Sequence, residues 1–302
     1  MKGLILVTGS DGLVGSRFVE LTQRKNFLHL PTQVEMDLTD PTQIKEVISK
    51  YNFSAVVNFA AYTDVGEAEK QRGDKSGPCW QVNVDGVKNL IEAINPNVTH
   101  YIQISTDMVF SGREDDPGPY SEDHEPKKDQ GKLTWYGFTK LQAEELVREK
   151  LYEKATILRL IYPVRAQFEP KLDYLRKLLR LYDEGELYPM FTDQKISITF
   201  IDEVAYALDK IIAQRTTGVL HVSCPDTVAP FDLASYLFEK ARGVKNVVKP
   251  TTLDSFLEKT GNPAYRYPKK HGLKVDKTQK ALGMKFSSWR EIVDRLVSQG
   301  LK

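Results

Sequence analysis

The first 160 residues alternate between short apolar runs and segments whose apolar positions recur at helical spacing. The run Leu4–Thr8 carries four apolar residues and stops at a glycine-rich turn, which is typical of a buried parallel strand. Segment 82–94 instead places its apolar side chains on one face of a helix. This alternation predicts a parallel, doubly wound α/β sheet. The predicted strands are 4–8, 26–30, 55–59, 100–105 and 156–160, and the predicted helices are 15–22, 42–50, 82–94 and 137–150.

Beyond residue 160 the alternation gives way to a looser pattern that is rich in proline. Amphipathic helices are predicted over 172–182 and 202–212, and a short strand over 219–222. The stretch 110–135 is polar and without periodicity, so it predicts a long loop, and such loops are usually functional or mobile.

Composition and charge narrow the class of protein. Of the 302 residues 41% are hydrophobic and 27% are charged, as in ordinary globular proteins. No apolar run reaches the roughly 18 residues of a transmembrane helix, and a net charge of +1 gives no electrostatic case for nucleic acid or membrane. The run 4–7 lacks the form of a signal peptide, so we expect a cytoplasmic protein with Cys79 and Cys224 reduced. Neither the cysteines nor the five histidines have the spacing of a metal site.

Gly9, Gly12 and Gly15 form a G-x-x-G-x-x-G array between the first predicted strand and the first predicted helix. Such glycines permit a tight turn, let the backbone approach a pyrophosphate and let the helix pack on the strand. The N-terminus of the helix then faces the anion. The array therefore predicts a dinucleotide site, from which Asp11 should point away.

The predicted architecture is thus a Rossmann-type parallel sheet with a smaller, mixed α/β substrate domain. We expect residues 1–161 plus about 196–224 to form the dinucleotide-binding domain. The substrate-binding domain would take about 162–195 plus 225–302.

Tyr136 and Lys140 are candidates for the chemistry of carbonyl reduction, which adds a hydride to carbon and a proton to oxygen. Free tyrosine has a pKa of about 10. A lysine four residues later lies on the same helical face, where its charge and that of an oxidised nicotinamide favour the phenolate. Tyr136 would be the general acid in reduction and the base in oxidation, while Thr106 would hydrogen-bond the carbonyl oxygen. Alone, such a pair is more often a solvated helix face; the glycine turn and Thr106 favour the catalytic interpretation.

Together with the glycine array, three motifs resemble those of the extended short-chain dehydrogenase/reductase superfamily. They are N-F-A-A at 58–61, N-V-D-G at 83–86 and Y-G-F-T-K at 136–140. Met108 follows Asp107 at the place where sugar-nucleotide dehydratases of this superfamily carry the glutamate base for elimination. Reduction is therefore favoured over dehydration.

The segment S-T-D-M-V-F-S-G at 105–112 resembles the dTDP-4-dehydrorhamnose reductase family. Similar stretches are D-L-T-D-P at 37–41, A-A-Y-T-D-V at 60–65 and P-A-Y-R at 263–266, so the resemblance covers nearly the whole chain. It implies reduction of the 4-keto group of a dTDP-4-keto-6-deoxyhexose, a sugar nucleotide, by an enzyme for which a homodimer is a common assembly.

The resemblance also implies roles for individual residues. Thr106 and Asp107 would contact the sugar, as would Tyr162, which stands where the family has a tryptophan that packs on the substrate. The cofactor would contact Gly9, Gly12, Leu13, Val14, Gly15, Asp37, Leu38, Ala60, Ala61, Tyr62, Thr63, Tyr136 and Lys140.

Departures from the family leave the exact sugar and the cofactor open. Gly66 replaces an aspartate, and segments 72–77 and 127–134 look like insertions near the site. Pro31 stands where NAD enzymes carry a carboxylate for the adenine ribose, so we expect NADPH, NADH or both.

Two other functions stay open. The altered loops suit a relative that reduces a small hydroxyketone, dicarbonyl or aldehyde. Some proteins resembling this family are non-catalytic regulatory subunits that bind the cofactor, but the intact set of Thr106, Tyr136 and Lys140 weighs against that function.

Overall fold

The computed structural model describes residues 3–302, and the elements given below are those of this range. The strands are β1 (Leu4–Thr8), β2 (Leu28–His29), β3 (Phe53–Asn58), β4 (His100–Thr106), β5 (Ala155–Leu160), β6 (Pro163–Val164), β7 (Met190–Phe191), β8 (Thr199–Phe200), β9 (Gly218–Val222) and β10 (Pro250–Thr251). The helices are α1 (Gly15–Leu21), α2 (Pro41–Lys50), α3 (Val65–Glu69), α4 (Pro78–Trp80), α5 (Gly86–Ala93), α6 (Trp135–Leu151), α7 (Tyr174–Asp183), α8 (Ile201–Gln214), α9 (Pro230–Arg242), α10 (Leu253–Thr260), α11 (Asp276–Leu282) and α12 (Trp289–Ser298).

The main sheet has six strands in the order β2-β1-β3-β4-β5-β9. The pairings of β1 with β2, of β1 with β3 and of β3 with β4 are parallel. Because both faces of a parallel sheet are covered by helices, its strands are apolar runs, and Ile5, Leu6 and Val7 are buried. The predicted Rossmann-type α/β class is confirmed.

One apolar layer fixes α2, α5 and α6 to the sheet. It contains Leu6 and Val56 from the strands together with Ile44, Leu90 and Val147 from the three helices. Burial of each such side chain stabilises the fold by about 1.5–3 kcal/mol before the entropic costs of folding.

By their contacts the residues group into two compact units. The first comprises the chain up to Phe110, Glu125–Arg159 and Val204–Leu220, and the second comprises Ser111–His124, Leu160–Glu203 and His221–Lys302. The sequence prediction instead assigned 111–124, 160–161, 196–203 and 221–224 to the dinucleotide-binding domain. In the structure, Tyr120 exchanges backbone hydrogen bonds with Gly272 and Lys274 (2.9 and 2.7 Å), and β8 pairs with β6.

The second unit has its own core, in which α7, α9 and α12 pack together through Leu178, Leu237 and Ile292. A capping box starts α12, because Ser288 and Glu291 bond each other's backbone N–H groups. Within residues 3–302 no helix combines the length and apolarity needed to cross a membrane.

Candidate active site

The carboxyl ends of β1 and β3 lie at the point where the order of the strands in the sheet reverses. From β1 the chain passes to β2 on one side, and β3 lies on the other. Thr8 and Asn58 end the two strands side by side, and the Thr8 hydroxyl donates to Asn58 Oδ1 at 2.5 Å. Ligands of open α/β sheets bind in the crevice at such a switch point.

The glycine turn after β1 is closely packed. Gly9 has φ +62°, and a Cβ on it would lie 2.7 Å from Ala60 N; a Cβ on Gly15 would lie 2.2 Å from the Gly9 carbonyl oxygen. Only glycine fits at either position. No side chain of the described residues caps α1, and Asp11 is exposed. A closely packed glycine turn that leads into the N-terminus of a helix fits the pyrophosphate of a dinucleotide.

The turn after β3 is attached to α6 through Asn83. Asn83 Oδ1 accepts from Tyr62 N at 2.8 Å, while Asn83 Nδ2 donates to Tyr62 O at 3.2 Å and to Thr139 Oγ1 at 3.0 Å. Ala60, Ala61, Tyr62 and Thr63 follow β3 directly. Sequence reasoning placed Asn83 in a motif but gave it no role; the structure makes it the link between this turn and α6.

Asp37 and Leu38, predicted to contact the cofactor, lie in the loop between β2 and α2. Asp37 Oδ1 accepts from the backbone N–H and hydroxyl of Thr39, both at 2.8 Å, and Leu38 is buried. Their contact with a cofactor stays a prediction.

Tyr136 lies in the first turn of α6, with its phenol beside the side chain of Thr106 at the end of β4. Thr106 Oγ1 donates to Asp107 Oδ1 at 3.0 Å. Burial, with the nearby Asp107 carboxylate and Cys79 adding to it, raises the pKa of Tyr136 well above its usual value. The sequence analysis expected Lys140 and the cofactor to lower this pKa. Within the protein itself the direction is opposite, because the phenol is withdrawn from water beside a carboxylate.

Lys140 lies one turn further along α6 and is buried. Its ammonium donates to the carbonyl of Ile104 at 2.8 Å. Burial lowers the pKa of Lys140 to about 8, although the Glu144 carboxylate acts in the opposite sense. Lys140 is therefore still mainly protonated at pH 7.

Segments 72–77 and 127–134 are joined by a brace, which we define as Glu69 and Arg72. Arg72 pairs with Glu69 and donates to the carbonyls of Gln130 and Leu133 at 3.1 and 2.7 Å. Glu69 Oε2 in turn accepts from Trp135 N at 2.9 Å, at the first residue of α6. The brace was not foreseen from sequence, and it fixes the helix end that carries Tyr136.

Tyr162 lies in the second unit, in the left-handed backbone region with φ +40°. The residue is 36% exposed, and its ring packs on that of Tyr174 with 5.1 Å between centroids. Tyrosine at a positive φ is strained, and such strain concentrates at functional sites. Its predicted contact with the substrate stays a prediction. No cluster of three or more metal-ligating side chains occurs among residues 3–302.

A Rossmann-type sheet, a glycine turn at its switch point and a Tyr-Lys pair beside a strand-end threonine together define a protein of the short-chain dehydrogenase/reductase class. The model of one family, described as RmlD substrate binding domain, matches residues 1–301. The chain belongs to this family.

Similar proteins agree with this assignment. The dTDP-4-dehydrorhamnose reductase of Aggregatibacter actinomycetemcomitans is 27% identical over 302 residues, which is 97% of each chain. The probable low-salt glycan biosynthesis reductase Agl14 of Haloferax volcanii is 28% identical over 292 residues, 92% of this chain and 91% of its own. The crystal structure of a Bacillus anthracis dTDP-4-dehydrorhamnose reductase in complex with NADP superposes with a TM-score of 0.84 at 25% identity, covering 99% of this chain and 100% of that one.

Proposed function

We propose that this protein is an NAD(P)H-dependent reductase that converts the 4-keto group of a dTDP-4-keto-6-deoxyhexose into a hydroxyl. The observation that carries the proposal is that Tyr136 lies beside Thr106, with Lys140 one turn further on, in a chain of this family. The names of the similar reductases support a dTDP-sugar as substrate.

In the proposed mechanism the bound nicotinamide supplies the hydride. Thr106 and Tyr136 hold the carbonyl oxygen by hydrogen bonds, and Asp107 lies beside them for a sugar hydroxyl. The raised pKa of Tyr136 keeps its proton in place until negative charge develops on the substrate oxygen. Tyr136 then donates that proton, and the Lys140 ammonium favours the phenolate that is left.

The cofactor would lie along the glycine turn and the turn after β3. The second strand ends near Pro31 rather than at a carboxylate, which supports use of both NADPH and NADH. The test compares kcat/KM for the two cofactors. A preference of more than about a hundredfold, which is about 2.7 kcal/mol, would overturn the use of both.

A second candidate function is reduction of a small hydroxyketone, dicarbonyl or aldehyde. The observation that favours it is the brace, which holds two insertions together at the start of α6. Cofactor oxidation is to be followed with dTDP-4-keto-6-deoxyhexose and with a panel of small carbonyl compounds. Turnover of small dicarbonyls without turnover of the sugar nucleotide would replace the first function by the second. Tight cofactor binding without turnover of any substrate would instead indicate a regulatory subunit.

We place the protein in the cytoplasm and expect a homodimer. Light scattering of the purified chain, whose mass is 34.4 kDa, tests the assembly. A mass of one chain at all accessible concentrations would contradict the homodimer.

A further inference from the structure

Three consecutive residues at the end of β4 lie against three residues on successive turns of α6, and two of these pairs are hydrogen-bonded. The Lys140 ammonium donates to the Ile104 carbonyl at 2.8 Å, and the Ser105 hydroxyl donates to Glu144 Oε1 at 2.6 Å. The pairs are Ile104 with Lys140, Ser105 with Glu144 and Thr106 with Tyr136. Because the members of α6 are four residues apart, they lie on one helical face. The middle pair contains neither of the groups proposed for proton transfer.

Glu144 is held from its other side by Arg159 of β5. Arg159 Nε donates to Glu144 Oε1 at 2.9 Å and Arg159 Nη2 donates to Glu144 Oε2 at 2.6 Å, and both side chains have an exposed fraction of 0%. The Arg159 guanidinium also lies 4.8 Å from the centre of the Phe110 ring. Despite burial, Arg159, with Ser105 and the more distant Arg148 adding to it, keeps the pKa of Glu144 below its usual value, so it is a carboxylate.

A buried ion pair of this kind contributes little net stability compared with apolar side chains of similar volume. Stability therefore does not account for placing a full negative charge one turn from the buried Lys140. The titratable groups that act on Lys140 are Glu144 on its own helix and the Cys79 thiol of α4. Of these only Glu144 carries a charge that favours the ammonium, and Arg159 partly neutralises that charge.

We propose that Glu144 and Arg159 are positioning residues for proton transfer: they fix the end of β4 against α6 and set the charge on Lys140. This inference rests on the proposed reductase function. Glu144 supports the ammonium that stabilises the Tyr136 phenolate, and Arg159 limits that support. Glu144 and Arg159 should therefore shift the pKa of Lys140 in opposite directions. An ion pair with a purely structural role would not do this.

The test is a titration of Lys140 by NMR in the full chain with 13Cε-labelled lysine, its signal being assigned by its loss in Lys140→Met. In Glu144→Gln the acceptor stays but its charge is lost, so the pKa of Lys140 should fall by about one unit. In Arg159→Met the carboxylate keeps only the longer ion pair with Arg148, so it is less neutralised and the pKa of Lys140 should rise. The double variant should return towards the wild type. Shifts of the same sign in both single variants, or no shift, would overturn the inference.

Arg159→Met leaves the buried Glu144 carboxylate with Arg148 as its one remaining cation, at 3.4 Å, and can fail to fold. The comparison of Glu144→Gln with the double variant then decides, because removing Arg159 in that background must still raise the pKa of Lys140. Glu145→Gln is the matched control: it makes the same change one residue further on, where the partner is the exposed Lys128. It should leave the titration of Lys140 unchanged.

Activity gives a second readout. With the pKa of Lys140 lowered from about 8 to about 7, Glu144→Gln should be about fivefold less active than the wild type at pH 8 and equally active at pH 6, with KM unchanged. A uniform loss at both pH values would mean a merely structural role. If the wild type reduces no substrate, the proposed function fails, while the NMR titration still decides the inference.

Discussion

The surroundings of Tyr136 together keep its proton in place. Burial and the Asp107 carboxylate both disfavour the phenolate, and they outweigh the Thr106 side chain, which favours it. A residue of this kind is suited to donate a proton to a developing alkoxide, which is a stronger base than the phenolate.

Replacing Tyr136 by Phe removes the proposed acid and leaves the ring in place. We expect kcat to fall by about 10²- to 10⁴-fold, the range for a lost general acid, while the affinity for NADPH is kept. Steady-state kinetics and fluorescence titration of NADPH measure the two quantities. An unchanged kcat would mean that the proton comes from another group.

Lys140 should give the reaction an alkaline limit. Its pKa of about 8 means that the ammonium is present below about pH 7 and is lost as the pH rises through 8. We therefore expect kcat/KM for reduction to be flat at low pH and to fall above about pH 8. Tyr136, with its raised pKa, keeps its proton over this range. In Lys140→Arg the guanidinium stays charged, so the remaining activity should not fall above pH 8. If the activity of that variant still falls there, another group causes the fall.

Arg176 illustrates the limit of prediction at the scale of one residue. On sequence it could face either solvent or a substrate diphosphate. In the structure it is buried, and it bonds Asp173 at 2.7 Å and the carbonyls of Phe168 and Lys171 at 2.5 and 2.6 Å. Two of these partners are backbone groups of a loop, and no pattern of side chains in the sequence could indicate them.

At the scale of elements, the position of α6 determines where the site residues lie. Gly137 in its first turn packs so closely that a Cβ would lie 2.1 Å from the Met108 carbonyl oxygen. The brace of Glu69 and Arg72 holds the same end of the helix from the other side. Both contacts involve backbone atoms, whose positions vary little with side-chain rotamers. They therefore fix the position of Tyr136 in the first turn of α6.

Loss of the brace should misplace Tyr136 without weakening the binding of substrate or cofactor. For Glu69→Gln and Arg72→Met we expect kcat to fall by about tenfold, since misplacement of a catalytic group costs rate more than affinity. KM and cofactor affinity should change by less than about twofold. The control is Lys70→Met, which removes an exposed ion pair with Glu67 on the same helix. A rise in KM alone would mean that the brace shapes the substrate site instead.

The sequence predicts the elements of the first unit well, because long apolar periodic segments leave little choice. It fails where structure depends on distant contacts. The helix predicted at 82–94 begins earlier, at Pro78, and passes through a wider turn at Gln81–Asp85 before α5. β6, β7, β8 and β10 have two residues each, too few for any periodicity. The brace joins Glu69 to Trp135, 66 positions apart, so only the fold reveals it.

At the scale of the whole molecule, the proposed cofactor contacts all fall in the first unit. A ligand that binds only the folded state stabilises it by mass action. We expect NADPH at about a hundred times its Kd to raise the free energy of unfolding by about 2.7 kcal/mol. Thermal and urea denaturation with and without NADPH measure this, with inorganic phosphate at equal ionic strength as control. Equal stabilisation by phosphate would mean that the nucleotide is not specifically recognised.

Each compact unit also contains one buried thiol. Cys79 lies in the first unit, 3.6 Å from Thr139 Oγ1 of α6, and Cys224 lies in the second, and both have an exposed fraction of 0%. Burial raises the pKa of both thiols, to about 12 for Cys224, so both are slow to react while the fold is closed. Each unit therefore contains one thiol whose reaction with an alkylating reagent reports the unfolding of that unit. Pulse alkylation in rising urea, read by peptide mass, would reveal whether the two units open together or one before the other.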